Sequence, residues 1–126
     1  MSKSLYEQIG ASTIEVVITE FYEHAFRDPL IGHFFFNHDR VELTRKQILF
    51  SSCMLGATHL TYTGKSLQEA HRALPLNEVH FRRRQKLMQE VLAGTHIAQE
   101  LKDKWLEREE KLKSLIINNG NNCLSS

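Results

Sequence analysis

The 126-residue sequence has little covalent or backbone punctuation: two cysteines, two prolines and six glycines. Cys53 and Cys123 belong to no Cys-x-x-Cys zinc or redox pair, and such sparse usage fits a reducing compartment. Neither charge dominates. Sixteen Lys plus Arg stand against fifteen Asp plus Glu, a net charge of +1, which gives no general drive toward nucleic acid or an anionic membrane. No apolar run nears the roughly 18 residues of a membrane span. The opening MSKSLYEQIG lacks the apolar centre of a secretory signal, so the expectation is a cytoplasmic chain with no membrane partner. What is present is ordinary globular usage, 41% hydrophobic and 25% charged, which excludes wholesale disorder and collagen-like structure. A chain of this length buries roughly two-thirds of its unfolded surface. One domain over residues 1–126 is expected, with a folded core over about 5–117 and a polar tail over 118–126.

The patterning has helical period throughout, with no strand-like alternation, internal repeat or linker. Ser4-x-x-Glu7, Ser12-x-x-Glu15, Asp39-x-x-Glu42 and Ser66-x-x-Glu69 resemble capping boxes and mark four helix starts. After Ser12, the residues Ile14, Val17, Ile18, Phe21 and Ala25 fall on one face, and Asp28-Pro29 ends the helix before a short turn through Leu30–Phe36. From Asp39 a second long helix carries a stripe of Val41, Thr44, Ile48 and Leu55 and ends near Gly56. An irregular connector over 57–65 leads to a short helix closed by Pro75. Asn77 caps a helix running to Gly94 through Val79, Leu87, Val91 and Leu92. The last helix starts near Thr95 and carries Ile97, Leu101, Trp105, Leu112, Leu115 and Ile116. The class is all-α.

Seven histidines are the most visible chemical asset. None stands three residues after a glutamate, so the carboxylate-bridged di-iron bundle fails. No His-Glu-x-x-His, phosphate-binding glycine loop or Gly-x-Ser-x-Gly elbow occurs. What remains is a metal held by a single protein ligand, its other positions filled by an organic cofactor. Haem meets that requirement, since the porphyrin gives four nitrogens and the protein one axial imidazole, inside a slot of Phe, Leu, Ile and Val. An isolated helical histidine such as His71 is by itself more often a surface or structural residue than a ligand.

Several short signatures, in order, change that weighting. Leu5-Tyr6-Glu7-Gln8-Ile9-Gly10, Phe21-Tyr22-Glu23 with Asp28-Pro29, and His33-Phe34-Phe35 with Asp39 come first. Gln47 and Phe50 follow, then Tyr62-Thr63-Gly64-Lys65-Ser66-Leu67 leading into Glu69-Ala70-His71, and finally His80-Phe81. From about Leu5 to Ile117 the chain resembles the truncated haemoglobins, in particular the short group I branch with its two-over-two helical sandwich around haem.

That resemblance implies non-covalent haem b with His71 on the iron, its second ring nitrogen held by a nearby acceptor. It implies that Tyr22 turns its hydroxyl to the distal side, where Gln47 either orients it or meets the ligand itself. Phe35 packs flat on the macrocycle, and Leu43, Phe50, Leu74, Val79, Phe81 and Ile116 line the pocket. Each is otherwise ordinary core. Lys46 pairs with a propionate or, deprotonated, closes onto the iron as a sixth ligand; otherwise it is a plain exposed lysine. Tyr62 and His80 reach the propionate edge. Leu43 stands where many relatives carry a polar group, Ala57 replaces a glycine, and Ala73–Val79 is short and lacks the relatives' glycine.

The implied partners are dioxygen, nitric oxide and other diatomic gases. The implied roles are oxygen binding or transport, or nitric oxide dioxygenation dependent on an external reductase, since no flavin or reductase domain is present. A gas sensor, an electron-transfer haem protein and a haem-free interaction module stay open beside these. Arg82-Arg83-Arg84 with Lys86 reads as a solvated helix face rather than a nucleic-acid patch, and Glu107–Lys111 as exposed helix with local pairing.

Overall fold

The computed structural model describes residues 3–117 apart from Ala73 and the Leu67 side chain; Cys123 and the tail over 118–126 lie outside the described residues. Seven helices and one 3-10 turn follow one another, with no strand among the described residues. They are α1 (Leu5–Ile9), α2 (Ala11–Ala25), the 3-10 turn Gly32–Phe35, α3 (Arg40–Met54), α4 (Leu67–His71), α5 (Glu78–Ala93), α6 (Gln99–Glu110) and α7 (Lys113–Ile116).

Three of the four expected caps form. The Ser4 hydroxyl accepts from the Glu7 amide while the Glu7 carboxylate accepts from Ser4. Asp39 accepts from the Val41 and Glu42 amides, and Ser66 from Glu69. The Ser12 box does not form. Gly10 takes φ +96°, a conformation that a side chain resists, and turns the chain out of α1 directly into α2, capping it two residues before Ser12. Gly56 (φ +106°) does the same at the exit of α3, where a Cβ would stand 2.9 Å from that of Ser4. The Tyr6 amide donates to the Leu55 carbonyl at 2.8 Å, so α1 is tied to the end of α3.

The face of α2 is as expected. Ile14, Val17, Ile18, Phe21 and Ala25 are buried, with Tyr22 beside them, and α2 packs on both α3 and α5. Burying one such side chain stabilises by about 1.5–3 kcal/mol. The stripe on α3 is corrected. Leu55 is buried and Ile48 packs on the core, but Val41 is 77% exposed. The helix has two apolar flanks rather than one, because Leu43 and Phe50 face a cavity while Ile48 and Leu55 face the core.

The final helix begins at Gln99, after the expected Thr95, because Thr95 closes the preceding turn instead. Its hydroxyl donates to the Leu92 carbonyl and accepts from the Ile97 amide. The same stretch then divides into α6 and α7, and Leu115 is exposed. Trp105 is fully buried at the centre of α6.

The arginine run is only partly a solvated face, since Arg82 alone of the three is exposed. Successive helical residues point about 100° apart, so the three guanidiniums reach different partners. Arg82 pairs with Glu78 and Glu110, Arg83 with buried Asp28, and Arg84 with buried Glu109. Nor is Glu107–Lys111 wholly exposed. Lys111 and Glu107 make the expected local pair, but Glu109 turns inward and Arg108 donates to the Met54 carbonyl at the end of α3.

Candidate functional site

Between α2, α3, α4 and α5 lies a cavity of about 320 Å³, within the range of small-molecule and cofactor sites. Phe21 and Tyr22 enter it from α2, Phe34 and Phe35 from the 3-10 turn, and Leu43, Lys46, Gln47, Phe50 and Met54 from α3. Tyr62 and Lys65 of the connector, Ala70 and His71 of α4, and Leu74 and Leu76 beyond it follow. His80, Phe81 and Arg84 of α5, then Glu109, Leu112, Ile116 and Ile117, complete the wall. Every site residue expected from the sequence lies here except Val79. That residue is 60% exposed, because it stands two positions before Phe81 and so about 200° around α5 from it.

Tyr22 is held by rings. Phe21, Phe26 and Phe35 meet it edge-on at 5.1, 6.0 and 5.8 Å between centroids, and Phe26 stacks on Phe35 at 5.1 Å. Such contacts fix a ring without engaging its oxygen. The hydroxyl makes no hydrogen bond to a described residue. Burial pushes the phenol up to about 12, with Arg84 pulling it down and Glu109 pushing it further up. It is therefore a donor at any physiological pH.

Gln47 is bonded along its own helix. Its amide nitrogen donates to the Ser51 hydroxyl one turn along α3, at 3.2 Å, and Ser51 is fully buried. Tyr62 lines the cavity with its ring edge-on to Phe50 at 5.3 Å, but its hydroxyl donates to the Lys65 carbonyl at 2.7 Å and closes the connector. His80 is locked into the cap of α5. Its Nδ1 accepts from the Asn77 amide while the Asn77 side chain accepts from the His80 amide, so a histidine stands in the glutamate position of a capping box.

The donor set fits haem and does not fit a bare ion. No group of three or more His, Cys, Asp or Glu able to hold a metal occurs among the described residues. His71 instead lines an aromatic and aliphatic slot that suits a flat apolar ring. The exposed Lys46, Lys65 and His38 line it too, and offer cationic or hydrogen-bonding groups where carboxylates would meet solvent.

With the wall in view, the comparisons with known proteins decide the family. The bacterial-like globin profile matches residues 4–118. The chain belongs to the bacterial-like globins. A group 1 truncated haemoglobin of Tetrahymena pyriformis is 31% identical over 63% of this chain, and a second from Synechocystis is 34% identical over 62%. The matches span 65% and 66% of those two proteins' own lengths. The solved truncated haemoglobin of Tetrahymena pyriformis in its Fe(III) form superposes with a TM-score of 0.86 at 23% identity, covering 93% of this chain and all of that one. The two-over-two haemoglobin of Synechococcus, solved with covalently attached haem, gives 0.75 at 26% identity and 90% coverage of each. The fold of this globin is the two-over-two helical sandwich. No helix among the described residues is long and apolar enough to cross a membrane.

Sequence reasoning missed Arg84 and Glu109, yet a signal existed. Arg84 follows Phe81 by three residues and Glu109 follows Trp105 by four, so each shares a helix face with a buried aromatic. Two opposite charges at core-facing positions of two helices suggest a buried pair.

Proposed function

We propose that this globin holds haem b non-covalently through His71 and binds dioxygen and nitric oxide reversibly. Haem, when bound, would supply an iron able to take one ligand from the protein and one diatomic gas. His71, at the end of α4, would hold that iron. The Tyr22 hydroxyl would donate to the negatively polarised end of the gas, and the surrounding phenylalanines would keep water away from it. A hydrogen bond to a charged acceptor is worth about 1.5–3 kcal/mol, or roughly 10–150-fold in ligand retention. Gln47, anchored on Ser51, presents its carboxamide on the same wall as a second polar group. Lys46 lies where a propionate would meet solvent.

The observation that carries this reading is one largely apolar cavity shared by the His71 imidazole and a buried phenol that has no acceptor among the described residues. Its test is the optical spectrum of the purified protein. A Soret band is expected, and it should vanish in His71→Ala. Colourless native protein, or pigment that survives in the variant, removes the reading. Tyr22→Phe should speed dioxygen loss roughly 10–150-fold, and an unchanged rate would take Tyr22 out of ligand binding.

A further inference from the structure

Arg84 and Glu109 put a charged pair into the cavity wall, their side chains 20% and 5% exposed. Nη1 of Arg84 donates to one carboxylate oxygen at 2.7 Å and Nη2 to the other at 3.2 Å. The second oxygen also accepts from the indole of fully buried Trp105 at 3.0 Å. Glu109 is thus pinned by its own helix, and two bonds pin Arg84 to it. The guanidinium carbon lies 5.0 Å from the centre of the Phe21 ring, and that ring is 5.1 Å from Tyr22.

The pair is neutral in sum but remains a dipole, and its direction relative to Tyr22 decides what it does. The guanidinium is the end of the pair that lies over Phe21, the ring packed edge-on against Tyr22, so the positive end is turned toward the phenol, and Arg84 accordingly pulls the phenol's pKa down against the push of burial. Away from bulk water such a field is weakly screened. Two of the guanidinium's five N–H donors go to Glu109.

We propose that Arg84, oriented by Glu109 and Trp105, is a positioning residue for gas binding: its charge strengthens the Tyr22 hydrogen bond and biases the pocket toward ligands that become negatively polarised, dioxygen above carbon monoxide. This rests on the haem reading above. A charge-assisted hydrogen bond is about twice as strong as a neutral one, so removing the field should speed dioxygen loss by roughly tenfold.

The test uses the haem-loaded full chain with carbon monoxide as the probe, read by the C–O stretch in the infrared. Positive charge near the outer atom of carbon monoxide lowers that frequency. Glu109→Gln keeps the shape but removes the negative end, so the stretch should fall. Arg84→Met together with Glu109→Leu leaves an apolar wall with no orphaned charge, so the stretch should rise and dioxygen should leave faster. Arg84→Lys keeps the charge and should lie nearer to native than the apolar pair does. In a Tyr22→Phe background the effect of the apolar pair on dioxygen loss should largely disappear, since the two act through one bond. Shifts of the same sign in Glu109→Gln and the apolar pair, or none in either, overturn the proposal while leaving His71-bound pigment intact. Failure of the native protein to hold haem through His71 would remove this proposal and the gas-binding reading together.

Discussion

α2 and α6 both send side chains into the centre of the molecule, but by different physical means. α2 buries an almost unbroken row of Ile14, Val17, Ile18, Phe21 and Ala25, and its one polar member is the phenol of Tyr22. α6 has a mean hydropathy well below that of α2, and buries Trp105 and the carboxylate of Glu109. The first helix is stabilised by area removed from water. The second is stabilised only while a carboxylate, a guanidinium and an indole stay bonded to one another. An apolar face degrades gradually as atoms are removed, whereas a buried ion pair fails as a unit.

The sharpest way to break the comparison is therefore on α6. Glu109→Ala leaves the Arg84 guanidinium and the Trp105 N–H without their acceptor, and a cost of about 3–5 kcal/mol is expected. Arg84→Met with Glu109→Leu should cost far less than that, or even stabilise, because no charge is left alone. On α2, Phe21→Ala should cost a similar 3–5 kcal/mol or so, but with no second substitution that restores it. Urea midpoints at constant slope measure all three. Equal losses in Glu109→Ala and the double variant would show that the wall is held by packing and not by pairing.

That contrast also separates what the sequence made legible from what it did not. The face of α2 follows from spacing, as does that of α5 at Leu87, Val91 and Leu92 though not at exposed Val79. His71, Tyr22, Gln47 and Phe35 were placed by ordered motifs, and all four line the cavity. For Arg84 and Glu109 the spacing on each helix shows that the residue faces the core, but their pairing depends on a meeting between separate helices that no single-helix pattern reveals. Tyr62 and Gln47 illustrate a finer limit. Their positions were legible, but the atoms that they bond, the Lys65 carbonyl and the Ser51 hydroxyl, depend on a connector bend and on a local helix partner.

Tyr22 gives the next effect in size, and it appears with pH. Its folded value of about 12 lies above the ordinary tyrosine value of 10.0 because burial disfavours the phenolate. Between those values the unfolded chain releases the proton and the folded one keeps it, so stability falls as pH rises. The full contribution is present below pH 10 and is lost by about pH 12, an effect on the order of 2–3 kcal/mol. Tyr22→Phe should flatten that part of the stability profile of the haem-free chain. A profile just as steep without the hydroxyl would mean that other groups titrate there.

Smallest of all should be the change at Val79, which sharpens the comparison by marking where α5 stops belonging to the cavity. Phe81 is buried and lines the wall, whereas Val79, on the far side of the same turn, is 60% exposed. Val79→Ser removes little apolar contact and should alter stability by no more than about 0.5 kcal/mol. Phe81→Ala, by contrast, should cost about 3–5 kcal/mol and loosen the cavity. Pigment retention measured by transfer of haem to an excess of apomyoglobin gives a second reading of the same boundary. Val79→Ser should release haem at the native rate and Phe81→Ala faster. Equal acceleration in both would mean that the first turn of α5 rotates inward when the pocket is filled, bringing Val79 onto the wall.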